Sequence, residues 1–161
     1  MTLRGTDPHR TTVHLPALQL MQSYLDEIGS AVLLGDWDAY RNHVALPFTL
    51  ITETATLRVA TEDDLRKGFD SFHEMLKFQK VTQYVRLADS AEALSDTLIS
   101  GRYVSHFIAG SHRIIPPFRS TITLRLIGNT WRAVAITNSI SNMQWPIQVP
   151  RVDQPLKGAD E

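Results

Sequence analysis

The stretch that decides the fold runs from Thr97 to Ser141: TLISGRYVSHFIA (97–109), HRIIPPFRSTITLRLI (112–127) and TWRAVAITNSIS (130–141), broken by Gly110-Ser111 and Gly128-Asn129. The three segments are rich in β-branched and aromatic residues, and each break holds small residues suited to a two-residue hairpin loop. The spacing predicts three long antiparallel strands in succession, hence one sheet with two distinct faces.

If both loops hold two residues, the cross-strand partners are fixed. Phe107 then faces Ile114 and Ser105 faces Pro116 across the first loop. Across the second, Leu126 faces Trp131, Leu124 faces Ala133, Ile122 faces Ala135 and Ser120 faces Thr137. Alternation places Tyr103, Ser105, Phe107, Ile114, Phe118 and Ser120 on one face, followed by Ile122, Leu124, Leu126, Trp131, Ala133, Ala135 and Thr137. This apolar face is expected to be concave. The opposite face takes Arg102, Val104, His106, Ile108, Arg119 and Thr121, then Thr123, Arg125, Arg132, Val134 and Ile136. Four arginines mixed with branched aliphatics read as a subunit contact, so a homodimer through Arg102, Arg119, Arg125, Arg132, Val134 and Ile136 is expected. Arg125 and Arg132 fall directly opposite each other. Pro116-Pro117 is the expected site of a bulge, where the register would shift.

Upstream, residues 1–16 are polar and read as an N-terminal arm. Ala17–Leu34 carries a helical stripe of Leu18, Met21, Leu25, Ile28 and Val32, with Tyr24 and Ala31 at its edge and Gln19, Gln22, Asp26, Glu27 and Ser30 on the wet side. Gly35 closes this helix, and Asp36 caps a short second one, Trp37–Val44. Strands are expected at Phe48–Thr52 and Thr56–Val59. Thr61 with Glu62, Asp63 and Asp64 opens a third helix, which runs to about Lys77. A strand at Val81–Leu87 follows, and Asp89–Asp96 reads equally as a helical turn or a hairpin rim. Residues 143–161 carry three prolines and read as a C-terminal extension. Helices at the front and an antiparallel sheet behind give an α+β domain over residues 17–142, a curved sheet wrapped around a long helix with a cone-shaped cavity between them.

Composition narrows the function classes. The chain has 161 residues, 43% hydrophobic and 20% charged, with net charge −1 and no cysteine. The missing basic surplus argues against nucleic acid. The missing cysteine excludes disulfides, thiolate nucleophiles and Cys-bound zinc. The polar N-terminus and the lack of a long apolar run point to a cytoplasmic protein with no membrane partner. The six histidines show no metal-ligand spacing, so no metal and no cofactor are expected.

Three sequence features carry a family resemblance: Gly35-Asp36-Trp37-Asp38-Ala39-Tyr40, Leu46-Pro47-Phe48 and Gly128-Asn129-Thr130-Trp131-Arg132. In them, and in its element order over residues 17–141, the chain resembles the nuclear transport factor 2-like superfamily, the cystatin-like cone that includes SnoaL-like cyclases and ketosteroid isomerases. The resemblance implies the cone fold and dimerisation through the outer sheet face. It also allows an isomerase test. The isomerase tyrosine position falls on Ile28, the base position on or near Thr52, and the acid position on Ile122. None can do that chemistry, which leaves Glu53 as the nearest carboxylate.

The polar groups expected in the hollow are Tyr103, Ser105, Ser120, Thr137 and Thr52, joined from the helices by Tyr24 and Tyr40. Hydroxyls in an apolar cavity suit a small, mostly apolar organic ligand. No catalytic residue is identified. Two other readings are a SnoaL-like isomerase, cyclase or dehydratase using Glu53 or a rim histidine (His43 or His73) as base, and a dimeric scaffold whose cavity is filled.

Overall fold

A computed structural model describes residues 8–140, with side-chain surroundings from Pro16 onward. The described residues form α1 (Pro8–Leu34), α2 (Trp37–Asn42), β1 (Val44–Ile51), β2 (Thr56–Val59), α3 (Glu62–Phe78), β3 (Gln83–Ser95), β4 (Leu98–Ala109), β5 (His112–Arg113), β6 (Phe118–Ile127) and β7 (Thr130–Asn138). The strands make one sheet in the order β2-β1-β7-β6-β4-β3, with β5 paired to β4. Only the β1–β7 pairing is parallel; the others are antiparallel. This is the expected α+β plan, one curved sheet backed by helices.

The first helix begins at Pro8, inside the stretch that reads as an arm, and it carries Pro16 within it. Pro8 sits at the first helical position, where an N–H has no intrahelical partner to lose. Met21, Leu25, Ile28 and Val32 are buried as the stripe predicts, but Leu18 is 39% exposed and Ala17 takes its place in the core. Gln22, expected on the wet side, instead clamps the helix to the edge strand. Its Nε2 donates to Arg86 O at 2.8 Å, and its Oε1 accepts from Ala88 N at 2.7 Å. Gly35 ends α1 with φ 76°, and a His73 ring nitrogen bonds Val32 O at 2.8 Å, satisfying a carbonyl at the helix end. Asp36 caps α2 and Thr61 caps α3, as expected from the sequence. The ambiguous segment Asp89–Asp96 is mostly strand, continuing β3 to Ser95 past a bulge between Ala88 and Ser90. The C-terminal extension 143–161 lies outside the described residues.

The register departs from expectation in two places. Between β4 and β6 the hairpin begins as predicted, with Ile114 N donating to Phe107 O. Beyond Pro116-Pro117, however, Ser105 pairs with Phe118 rather than with Pro116. The loop has absorbed two residues, which preserves face parity. Between β6 and β7, Leu124 pairs with Ala133, but Thr123 pairs with Ala135 and Ile122 with Ile136. Val134 is the extra residue of a bulge, and every side chain beyond it changes face. Ile136 and Asn138 therefore turn inward, while Thr137 becomes exposed. The predicted pairing of Ser120 with Thr137 is replaced by Ser120 with Asn138. Ile136 likewise leaves the predicted contact face.

Candidate functional site

Between α1, α3 and the inner sheet face lies a cavity of about 90 Å³, several times what one water needs. Ile28 and Val32 of α1, Phe48 and Leu50 of β1, Phe72 of α3 and Phe118 of β6 make most of its apolar wall. Ala133 and Ile136 of β7 complete it. Two small features leave the chamber open: Ala133 places only a methyl at the sheet surface, and Gly68 of α3 places no side chain there.

The polar part of the wall is concentrated. The chain has four tyrosines, and all of them, Tyr24, Tyr40, Tyr84 and Tyr103, line the cavity. Arg86, Ser105 and Asn138 line it as well. Tyr24 donates its hydroxyl proton to His43 O at 2.7 Å, whereas Tyr40 and Tyr84 have no hydroxyl partner among the described residues. Burial pushes the Tyr40 hydroxyl up to about 12 against the opposing pull of Arg86, and Tyr24 and Tyr84 are raised by burial in the same way. All three are therefore protonated at neutral pH and act as neutral hydrogen-bonding groups.

Among the described residues Arg86 is the one charged side chain in the wall, and it is only 4% exposed. Its Nη2 donates to Leu25 O at 3.1 Å. Its Nε is buried with no hydrogen-bond partner. No carboxylate among the described residues lies within ion-pair distance of it. The guanidinium carbon instead lies 4.9 Å from the Tyr84 ring centroid and 5.4 Å from that of Tyr103, in cation–π contact with both. Burial works against its charge, while Tyr84, Tyr103 and Tyr24 favour it, Tyr103 also through a side-chain hydrogen bond, and the net shift is upward. An arginine stays charged in any case, so the chamber contains a buried cation whose counter-ion is not supplied by the described protein.

Of the seven residues expected in the hollow, Tyr24, Tyr40, Tyr103 and Ser105 line it, and Thr52, Ser120 and Thr137 do not. Thr52 is buried, and its Oγ1 accepts from Ala55 N at 3.1 Å to hold the β1–β2 turn. Ser120 is buried and donates to Asn138 Oδ1. Thr137 lost its place to the bulge at Val134. Glu53 is exposed in the turn after β1 and is absent from the cavity wall. His43 and His73 are held by carbonyls of Ala39 and Val32. No group of His, Asp or Glu among the described residues is arranged to hold a metal ion.

Arg86, Tyr84 and Asn138 line the cavity without being expected there from the sequence. In Tyr84-Val85-Arg86-Leu87, alternation makes Val85 and Leu87 the natural inward pair. The structure inverts this: Arg86 is buried and Leu87 is 52% exposed. Tyr84, in phase with Arg86 and stacked on Phe107 at 4.6 Å, was the available signal.

No protein-family model matches the sequence, and no curated protein matches it. Solved structures do match. A protein of unknown function from Mycobacterium tuberculosis superposes with a TM-score of 0.60 at 10% identity, over 95% of this chain and 87% of that one. A cystatin-like protein of unknown function from Nostoc punctiforme gives 0.58 at 12% identity, over 79% and 92%. A nuclear transport factor 2-like protein of unknown function from Shewanella oneidensis gives 0.55 at 14% identity, over 74% and 95%. At these identities the likeness speaks to architecture alone. The chain has the cystatin-like cone fold of the nuclear transport factor 2-like proteins.

Proposed function

We propose that this protein binds a small, mostly apolar organic molecule inside the cone. The carrying observation is the chamber itself: about 90 Å³ walled by aliphatic and aromatic side chains, with tyrosine, serine, asparagine and arginine residues among its lining. The wall orients a ligand but, among the described residues, offers it no carboxylate or imidazole to move a proton. Binding is therefore favoured over the cyclase or isomerase reading, whose named bases stand in a turn or are tied to backbone carbonyls. Native mass spectrometry of the freshly purified full chain tests this. Binding predicts a retained small molecule, or an adduct from a panel of small aromatic and alicyclic compounds. A bare mass throughout, with no compound raising the melting temperature, would refute it.

We further propose that the outer sheet face docks a second copy of this chain. Exposed Leu87 pairs across the sheet with Val104, which in turn pairs with Arg119, so apolar and cationic groups alternate there. Arg125 faces Arg132 across β6 and β7, and a partner's carboxylates would relieve that opposition. Arg125→Glu or Val134→Asp should give monomers on a sizing column, and an unchanged dimer would remove this face from consideration. No helix among the described residues is long and apolar enough to cross a membrane.

A further inference from the structure

The one cation in the described wall is not fully used. Arg86 has five N–H donors: Nη2 bonds the helix carbonyl of Leu25, the Tyr103 hydroxyl takes a further side-chain hydrogen bond, and Nε has no partner. A purely structural arginine at this depth would be expected to be paired with a carboxylate or ringed by carbonyls, because an unpaired buried charge is costly. Here the neighbours on the sheet are neutral. Arg86 stands directly across from Ser105, which stands across from Phe118. In the next row, Tyr103 pairs with Ser120 and Ser120 with Asn138. The guanidinium is thus flanked by the rings of Tyr84 and Tyr103, within a wall that also includes Ser105 and Asn138.

We propose that Arg86 is an anion anchor and that the molecule taken by the cone is an organic carboxylate, a small apolar body with a planar monoanionic head. This inference rests on the binding reading above and names the class of ligand. One guanidinium balances one negative charge, and the remaining polar groups of the wall are neutral. A dianionic phosphate would call for a second cation, which the described wall lacks. A flat carboxylate suits a flat guanidinium held against two aromatic faces. The aliphatic and aromatic wall formed by Ile28, Phe48, Leu50 and Phe72 would take the apolar body.

The test is calorimetric titration of the full-length protein with matched pairs of one shape and different charge: benzoate and benzamide, phenylacetate and phenylacetamide, hexanoate and hexanamide. A charge-assisted bond exceeds a neutral one by enough to favour at least one carboxylate over its amide by about tenfold or more. Arg86→Met should reduce that ratio to near one, and Arg86→Lys should retain part of it. If the variants fail to fold, the ratio in the native protein still decides. Amides binding as well as carboxylates would overturn the anion anchor and leave the cavity reading standing. No binding by any of the six compounds would overturn both.

Discussion

Two pairings of the same sheet, β4 with β6 and β6 with β7, differ in how they absorb extra residues. The difference decides which side chains reach the cavity. Across Pro116-Pro117 the chain adds two residues, so Phe118, Ser120 and Ile122 stay on the predicted face. At Val134 it adds one, so Ile136 and Asn138 replace Ala135 and Thr137 on the inside. A conspicuous disturbance of even count changes nothing about the site. An inconspicuous one of odd count rebuilds it.

Removing Val134 tests the comparison most severely. The deletion should restore the regular register, turn Ile136 and Asn138 outward and leave Ser120 buried without its partner. Lost burial and an unsatisfied hydroxyl together cost on the order of 5 kcal/mol, comparable with the whole stability of a domain. We expect no cooperative melting transition by circular dichroism. A well-folded deletion variant would mean that the bulge does not set the inner face.

A finer probe is the Ser120–Asn138 contact, which exists only because of that bulge. Ser120→Ala should lower unfolding free energy by about 1–3 kcal/mol in urea titrations. Combined with Asn138→Ala, the cost should fall short of the sum of the two single changes. Strict additivity would show that the two side chains do not meet.

Alkaline titration examines the tyrosine wall. The ordinary hydroxyl value is 10.0, and burial raises Tyr40 to about 12 in the folded state. The unfolded chain therefore releases that proton first. The associated stability is fully present below about pH 10 and is lost as pH rises toward 12. Tyr40→Phe should flatten the decline over that window, leaving the part due to Tyr24 and Tyr84. An identical decline in the variant would place the Tyr40 hydroxyl in solvent.

The smallest effect is expected at the conspicuous site. Deleting Pro116 and Pro117 together leaves Ile114 opposite Phe107 and Phe118 opposite Ser105 in one uninterrupted hairpin. Stability should change by no more than about 1 kcal/mol, with the fold retained. Collapse of this variant would show that the proline pair positions the sheet.

These pairings also show what was legible in the sequence. The hairpin loops, the helix caps at Asp36 and Thr61 and the succession of helices and strands along the chain all carry local chemical signatures, and the fold class followed from them; the parallel pairing of β1 with β7 did not. The bulge at Val134 has none, because it lies within Ala-Val-Ala-Ile, where neither glycine nor proline marks a change of phase. Arg86 was hidden for a different reason. Its inward placement depends on Gln22 clamping β3 to α1 and on the Tyr84 and Tyr103 rings beside it, contacts made between segments distant in sequence. Four of the cavity's hydroxyl groups could be anticipated from strand and helix phase. The charge among them could not.

The most direct measurement of the central claim, a hollow cone with an unpaired cation in its wall, is a crystal structure of the full-length protein at high resolution. An open chamber between Arg86, Tyr103 and Asn138 is predicted, with ordered water or a ligand oxygen within hydrogen-bond distance of the Arg86 guanidinium. A collapsed chamber, or a carboxylate of the same chain paired with Arg86, would contradict it.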